Sequence, residues 1–297
     1  MAQFREIAEV EATGDVALVY EEIRRTYAVP YVSSLFRHLA VYPGLLPWAW
    51  RILRPALLSG AVQRLAWQRV DVAELPPLPR LSREALGRLG VDAAGLAAIR
   101  TVCECFTRVS PINLVVAACL ARLLEEESPG VAPMVTLEPA DLPAPLPAMP
   151  GMVPAAAMTP ENRAVLATFE TDLSGEVFIP GLWRILAHWP GFLAHLSASL
   201  VPLLRDPAVL DACERIADRI TAVAPSVLAT LAPPDEPAPL PPGNTAAVLS
   251  AIRTYRGTSP QMVGFGTLIL EALPPDRAGR DDGAVRRRPA IPPYRSP

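Results

Sequence analysis

The sequence predicts an all-α protein built from two pseudo-symmetric helical halves, and three observations carry that prediction. Apolar residues recur at helical spacing: Leu96, Ile99, Cys103 and Phe106 share one face, as do Val209, Cys213, Ile216 and Ile220. No stretch shows sustained alternation of apolar and polar residues between hairpin turns, so no strand is expected. The third observation is an internal repeat, which sets architecture before any local feature does. Residues 35–46 read LFRHLAVYPGLL and residues 182–193 read LWRILAHWPGFL, identical at seven of twelve positions at an offset of 147. A second match, at an offset of 149, pairs Phe106, Ser110 and Pro111 with Tyr255, Ser259 and Pro260. Two matches in one order at nearly one offset imply a duplicated unit folded as an intramolecular pseudo-dimer.

The elements follow in order. Residues 1–127 form the first helical half, in which Asp92 is placed to cap the helix carrying the Leu96 face. Ser110-Pro111 reads as a further helix start, with an oxygen-bearing side chain at the N-cap and proline at the first helical position, where its missing N–H costs nothing. Residues 128–160 hold nine prolines, a density that prevents helix and favours an extended connector. The second half, 161–273, opens behind Thr159-Pro160 and repeats the start signal at Asp206-Pro207 and Ser259-Pro260. The tail, 274–297, carries Arg286, Arg287 and Arg288 among prolines and has almost nothing to bury, so it reads as a poorly ordered, solvated segment.

Composition narrows the function classes. With 51% hydrophobic and 19% charged residues in 297, the chain can bury a large core and fits the globular class. All 27 basic residues are arginines, which excludes Schiff-base chemistry and a phosphate-loop lysine. Three histidines (His38, His188, His195) and four cysteines without a C-x-x-C pair offer no metal site, and the thiols read as buried and reduced. No metal or organic cofactor is expected. A net charge of −3 gives no footprint for nucleic acid. The apolar run at 114–120 is far shorter than the roughly 20 residues that span a bilayer. The first residues, MAQFREIAEVE, carry acids where a secretory signal needs an apolar stretch, so a cytoplasmic protein is expected, either a monomer or a weak homo-oligomer.

Matching halves bury their matching faces against each other, so the crevice between them is the default place for a small-molecule site. Its lining is expected from 28–36, from the counterpart loop and helix start at 176–183, and from the helix starts at Ser110 and Ser259. Helix N-termini there favour an anionic ligand by ~0.3–1 kcal/mol each.

The motifs VYEEIR at 19–24 and VPYV at 29–32, then Arg37, Leu39, Ala40, Pro43-Gly44 and Leu46-Pro47, GVD at 90–92 opening the helix to Phe106, and Trp189-Pro190 are similar to those of the group I 2-haloacid dehalogenases. The resemblance covers most of 10–125 and a weaker part of 160–272. It implies an all-α monomer of two repeats with the active site between them, acting on both enantiomers of small 2-halocarboxylic acids. It further implies an aspartate that activates water for direct displacement of halide with inversion, and an asparagine that helps to hold that water. Carried onto this chain, the aspartate position falls on Leu182 and the asparagine position on Ser110. A pocket tryptophan and phenylalanine fall on Tyr31 and Ser34. The resemblance thus implies a scaffold whose catalytic pair has been replaced.

The candidate residues follow from both readings. Glu176, in a loop with Asp172 and Gly175, is the candidate substitute base; a solvated loop acid is the alternative. Asn113 lies one turn beyond Ser110, so its amide can reach the same space. Tyr31 offers a hydroxyl to orient a substrate or act as a weak acid. Ser110 and Ser259 serve either the site or simple helix capping, worth ~1 kcal/mol each. Ser34, Leu182, Arg108, Tyr255, Ser259 and Gln261 complete the expected substrate-binding set. Arg37 and Arg184, alike in both halves, suit a carboxylate ligand or the bracing of the Pro-Gly turns. Three functions are compatible with this set: a divergent enzyme on a small organic, acidic molecule; a hydrolytic 2-haloacid dehalogenase using Glu176; and a non-catalytic binding or scaffold protein.

Overall fold

The computed structural model describes residues 5–125, 136–173, 176–241 and 243–275, whose regular elements are helices apart from one short hairpin. In chain order the first part comprises α1 (Gly14–Tyr27), α2 (Ser34–Leu39), α3 (Leu45–Leu58), α4 (Ala61–Gln68), α5 (Arg83–Arg88) and the long α6 (Ala93–Leu124). The second comprises α7 (Pro160–Ala167), β1 (Thr171–Leu173), β2 (Glu176–Phe178), α8 (Gly181–Leu186), α9 (Pro190–Leu204), α10 (Pro207–Thr221), α11 (Ala224–Leu228) and the long α12 (Asn244–Ala272). The helices α6 and α12 pack against each other along the centre, and α4, α8, α10 and α11 pack around α6. By length and composition α6 resembles a membrane span, but 78% of its most apolar window is buried inside the fold, as in a core helix. All four cysteines are free and buried, and burial pushes the Cys105 and Cys119 thiols up to about 12.

Three expected caps form. Asp92 Oδ1 accepts from Gly95 N at 2.7 Å, Thr159 Oγ1 from Asn162 N at 3.2 Å and Asp206 Oδ1 from Ala208 N at 2.9 Å. The two remaining starts are corrected. Ser110 and Ser259 are not N-caps: α6 runs unbroken through Pro111 and α12 through Pro260. An interior proline forfeits one backbone bond, at a cost of ~3 kcal/mol. Both prolines are buried where the two long helices meet, and packing there outweighs the local stop signal. Near the gap, the Trp67 indole donates to Arg108 O at 2.9 Å. The helix N-termini expected at Ser110 and Ser259 are therefore absent, whereas those of α2 and α8 do reach the crevice.

The expected loop around Glu176 is also corrected. Asp172 pairs with Val177 and Leu173 with Glu176 in an antiparallel ladder of three-residue strands, too short to register as alternation in the sequence.

The proline-rich segment is extended over 136–154, yet it is no free tether. Ala140 N donates to Ser59 O (2.8 Å) and Leu146 N to Ala28 O (3.0 Å), while Arg64 donates to Glu138 O (2.7 Å). It passes so close over Gly60, φ +71°, that a Cβ there would strike the Ala140 carbonyl. The first tail residues are held as well: Arg83 donates to Pro275 O at 2.7 Å and Arg100 to Pro274 O. The rest of the expected tail, from 276, lies outside the described residues, as do 126–135 of the connector.

The two stretches matched in sequence have similar local structure. At the offset of 147, α2 and α8 are both six-residue helices, each ending on an alanine in helical conformation, Ala40 and Ala187.

Candidate functional site

The middles of α6 and α12 supply seven lining residues of one small cavity, closed by the approach to α2, the first residues of α2 and the start of α8. Phe106, Ser110 and Asn113 face it from α6, and Tyr255, Thr258, Ser259 and Met262 from α12. These sets lie at spacings of three and four residues, which put their members on one helical face. Tyr31, Ser33 and Ser34 line it from the segment entering α2, and Met152, Phe178 and Gly181 complete the wall. Gly181 makes the close approach easy: a Cβ there would sit 3.1 Å from Met152 Cε and 3.2 Å from Phe106 Cζ, tighter than ordinary contact. The Tyr31 and Phe106 rings lie 5.3 Å apart, tilted by 30°. The free volume is about 50 Å³, room for a water or a very small ligand as the side chains now stand.

Of the residues expected from the sequence, this cavity brings together Tyr31, Ser34, Ser110, Asn113, Tyr255 and Ser259. Three others are placed elsewhere. Arg108 does not face a ligand: its Nη1 donates to Ala28 O and to Ala144 O, both at 2.8 Å, tying the proline-rich segment to the loop after α1. Burial lowers its pKa, and the two carbonyls compensate the desolvated guanidinium. Leu182 is 0% exposed in the core, and its neighbour Gly181 is the residue at the wall. Gln261 faces a different cavity, shared with Asp172, Cys213 and Pro260, because two steps along α12 from Ser259 turn a side chain by about 200°. The backbone of Glu176 begins β2, while its side chain lies outside the described residues.

Ser33 and Phe178 fall within the stretches 28–36 and 176–183 expected to line the crevice, whereas sequence reasoning missed Thr258, Met152 and Met262. Thr258 adjoins a residue that it named and Met262 is one turn from Thr258, so extending that face by a turn finds them. Met152 sits in irregular chain, where no periodicity exists to read.

The polar chemistry of the cavity is that of hydroxyls, one amide and the Arg37 guanidinium at its edge. Asn113 is 7% exposed, and its Oδ1 has no hydrogen-bond partner among the described residues; nor has Ser33 Oγ. A buried acceptor left unmatched costs ~1–3 kcal/mol, so a donor brought by a ligand is favoured there. Burial raises the Tyr31 and Tyr255 phenols well above their usual 10.0, with Ser34 and Arg37 opposing that shift at Tyr255. Both phenols are therefore protonated donors at neutral pH. No carboxylate stands among the described lining residues, and no group of three or more metal-ligating side chains occurs among the described residues.

No family model matches the chain. A configuration-inverting 2-haloacid dehalogenase from Alcaligenes xylosoxydans xylosoxydans is 27% identical over 210 residues, 69% of this chain and 71% of that protein. Among solved structures, a D-2-haloacid dehalogenase in complex with L-LA superposes with a TM-score of 0.74 at 21% identity, covering 92% of this chain and 97% of the other. A mutant D-2-haloacid dehalogenase with D-2-CPA gives 0.72 at 20% identity, covering 91% and 95%. The fold is thus that of these all-α enzymes, and the sequence and structural likenesses together support a relationship of this chain to the 2-haloacid dehalogenases.

Proposed function

We propose that this protein is a divergent enzyme that binds a small organic acid in the crevice between two related halves, residues 1–127 and 161–273, on a dehalogenase-like scaffold whose chemistry has changed. The observation that carries the reading is the cavity wall, where hydroxyls and the amide of Asn113 stand with no carboxylate among the described residues. Displacing halide with water needs a base that titrates near its working pH. Phenols held protonated by burial, serine hydroxyls and an amide do not supply one. They suit the orientation of a ligand or a water, with Tyr31 and Tyr255 donating and Asn113 accepting. Nothing in this chemistry calls for a cofactor, and we place the protein in the cytoplasm as a monomer or weak homo-oligomer.

The test is halide release from each enantiomer of 2-chloropropionate by the purified protein, beside Glu176→Gln and Asn113→Ala. The expected outcome is no release from either enantiomer by folded protein. Release that disappears in Glu176→Gln overturns the reading in favour of a hydrolytic dehalogenase with a substitute base. Failure of any small organic acid to raise the melting temperature overturns it in favour of a scaffold role.

A further inference from the structure

A second cavity, of about 730 Å³, adjoins the first and shares Arg37, Met152 and Phe178 with it. Its volume lies in the ~300–1,000 Å³ range of small-molecule sites. Four arginines (Arg5, Arg37, Arg163, Arg184) and two glutamates (Glu6, Glu170) line it, so positive charge is in excess by two. Its apolar wall is formed by Met152, Met158, Leu166, Phe178 and Ile179.

The two repeat-related arginines meet here in unequal states. Arg37 Nη2 is ion-paired with Glu6 Oε2, the two side chains being 12% and 15% exposed, and also donates to Ser34 Oγ at 3.3 Å. Arg184 is half-buried and forms no ion pair with a described residue; Glu6 and Arg37 act on it only through space. Desolvation lowers its pKa, the mark of a charge without full compensation. The other oxygen of the glutamate, Glu6 Oε1, is buried without a hydrogen-bond partner. One carboxylate thus serves an inner wall that holds two guanidinium groups.

We propose that this second cavity binds an organic acid with an apolar tail, its carboxylate taken by Arg184 beside Arg37 and its tail lying against Met152, Met158, Leu166 and Phe178. The proposal rests on the reading of the protein as an organic-acid binder and names the class of acid. A planar guanidinium receives a carboxylate through two parallel hydrogen bonds, and a desolvated one gains more from it than an exposed one. Glu6 occupies the Arg37 side as a tethered carboxylate, so it competes with the ligand for that half of the site.

Calorimetric titration with hexanoate tests it, with hexanamide as the neutral isostere and inorganic phosphate as the tail-free anion. Wild type is expected to bind hexanoate and neither control. Arg184→Gln weakens hexanoate binding at least tenfold, Arg184→Lys retains part of it, and Glu6→Gln tightens it, with circular dichroism confirming that each variant is folded. Equal hexanoate binding by wild type and Arg184→Gln overturns the site, as does absence of binding in both wild type and Glu6→Gln. Phosphate bound as tightly as hexanoate overturns the assignment to an organic acid. Hexanoate binding without turnover leaves this site standing whatever the chemistry proves to be, whereas turnover of small acids without hexanoate binding removes this site alone.

Discussion

Arg37 and Arg184 occupy equivalent places in stretches that are identical at seven of twelve positions, and their surroundings have little in common. The first is locked by Glu6 and Ser34; the second, on the matching six-residue helix, faces open space. The Pro-Gly turns that follow diverge in the same manner. Gly44 is a left-handed N-cap, φ +80°, ahead of α3, whereas Pro190 is already the first residue of α9 and Gly191 is helical. Gly191 is there for a different reason: a Cβ would lie 2.7 Å from Leu89 O. Identical residues have thus been kept for separate purposes, because what each side chain meets is set by distant segments: Ile7 N donates to Arg37 O and Val153 N to Arg184 O alike, but the first of these segments brings Glu6 to its arginine and the second brings no acid.

Four sets of substitutions break or sharpen this comparison. The largest effect is expected at Leu182, where Leu182→Asp introduces an unpaired carboxylate into a site that is 0% exposed. Urea unfolding should report a loss of at least ~4 kcal/mol, and a stable folded variant would show that the position opens to water. Next come the arginines. Arg37→Gln strands the largely buried Glu6 and should cost ~2–4 kcal/mol, whereas Arg184→Gln removes a charge that has no ion-pair partner among the described residues and should stay within ~1 kcal/mol of wild type. Equal losses would mean that the two guanidinium groups are equivalently held.

The glycines differ in kind more than in size, at ~1–2 kcal/mol each. Gly44→Asn should be milder than Gly44→Ala, since asparagine tolerates left-handed backbone; at Gly191 the order should reverse, since the larger side chain meets Leu89 O. The smallest effects separate true caps from apparent ones. Thr159→Ala and Asp206→Ala should each cost ~1 kcal/mol in thermal unfolding, while Ser110→Ala should cost less, because Ser110 lies inside α6 and caps nothing.

How much was legible in the sequence depends on the range of the interaction concerned. Helical periodicity placed Phe106 and Cys103 on one face, and three of the five predicted caps form, because an N-cap is decided within four residues. The Ser-Pro pairs carried the same local signal and failed, since the α6–α12 contact outweighs one lost backbone bond in each helix. Six site residues were found because the repeated positions Ser110/Ser259 and Phe106/Tyr255 do face each other. Arg108 was misread because its partners, Ala28 O and Ala144 O, are backbone carbonyls that no side-chain pattern reveals.

By itself the sequence determined the all-α class, the order of the helices and the absence of lysine chemistry, all of which follow from composition and from spacings within a few residues. Only the tertiary structure decided that α6 and α12 run through their prolines, that the proline-rich segment is bound to Ser59 and Ala28, and that of a matched pair of arginines on one cavity wall Arg37 is ion-paired with Glu6 and Arg184 is not. The physical reason is that burial and charge pairing are settled between residues far apart in the chain, where the energy of contact exceeds any local preference.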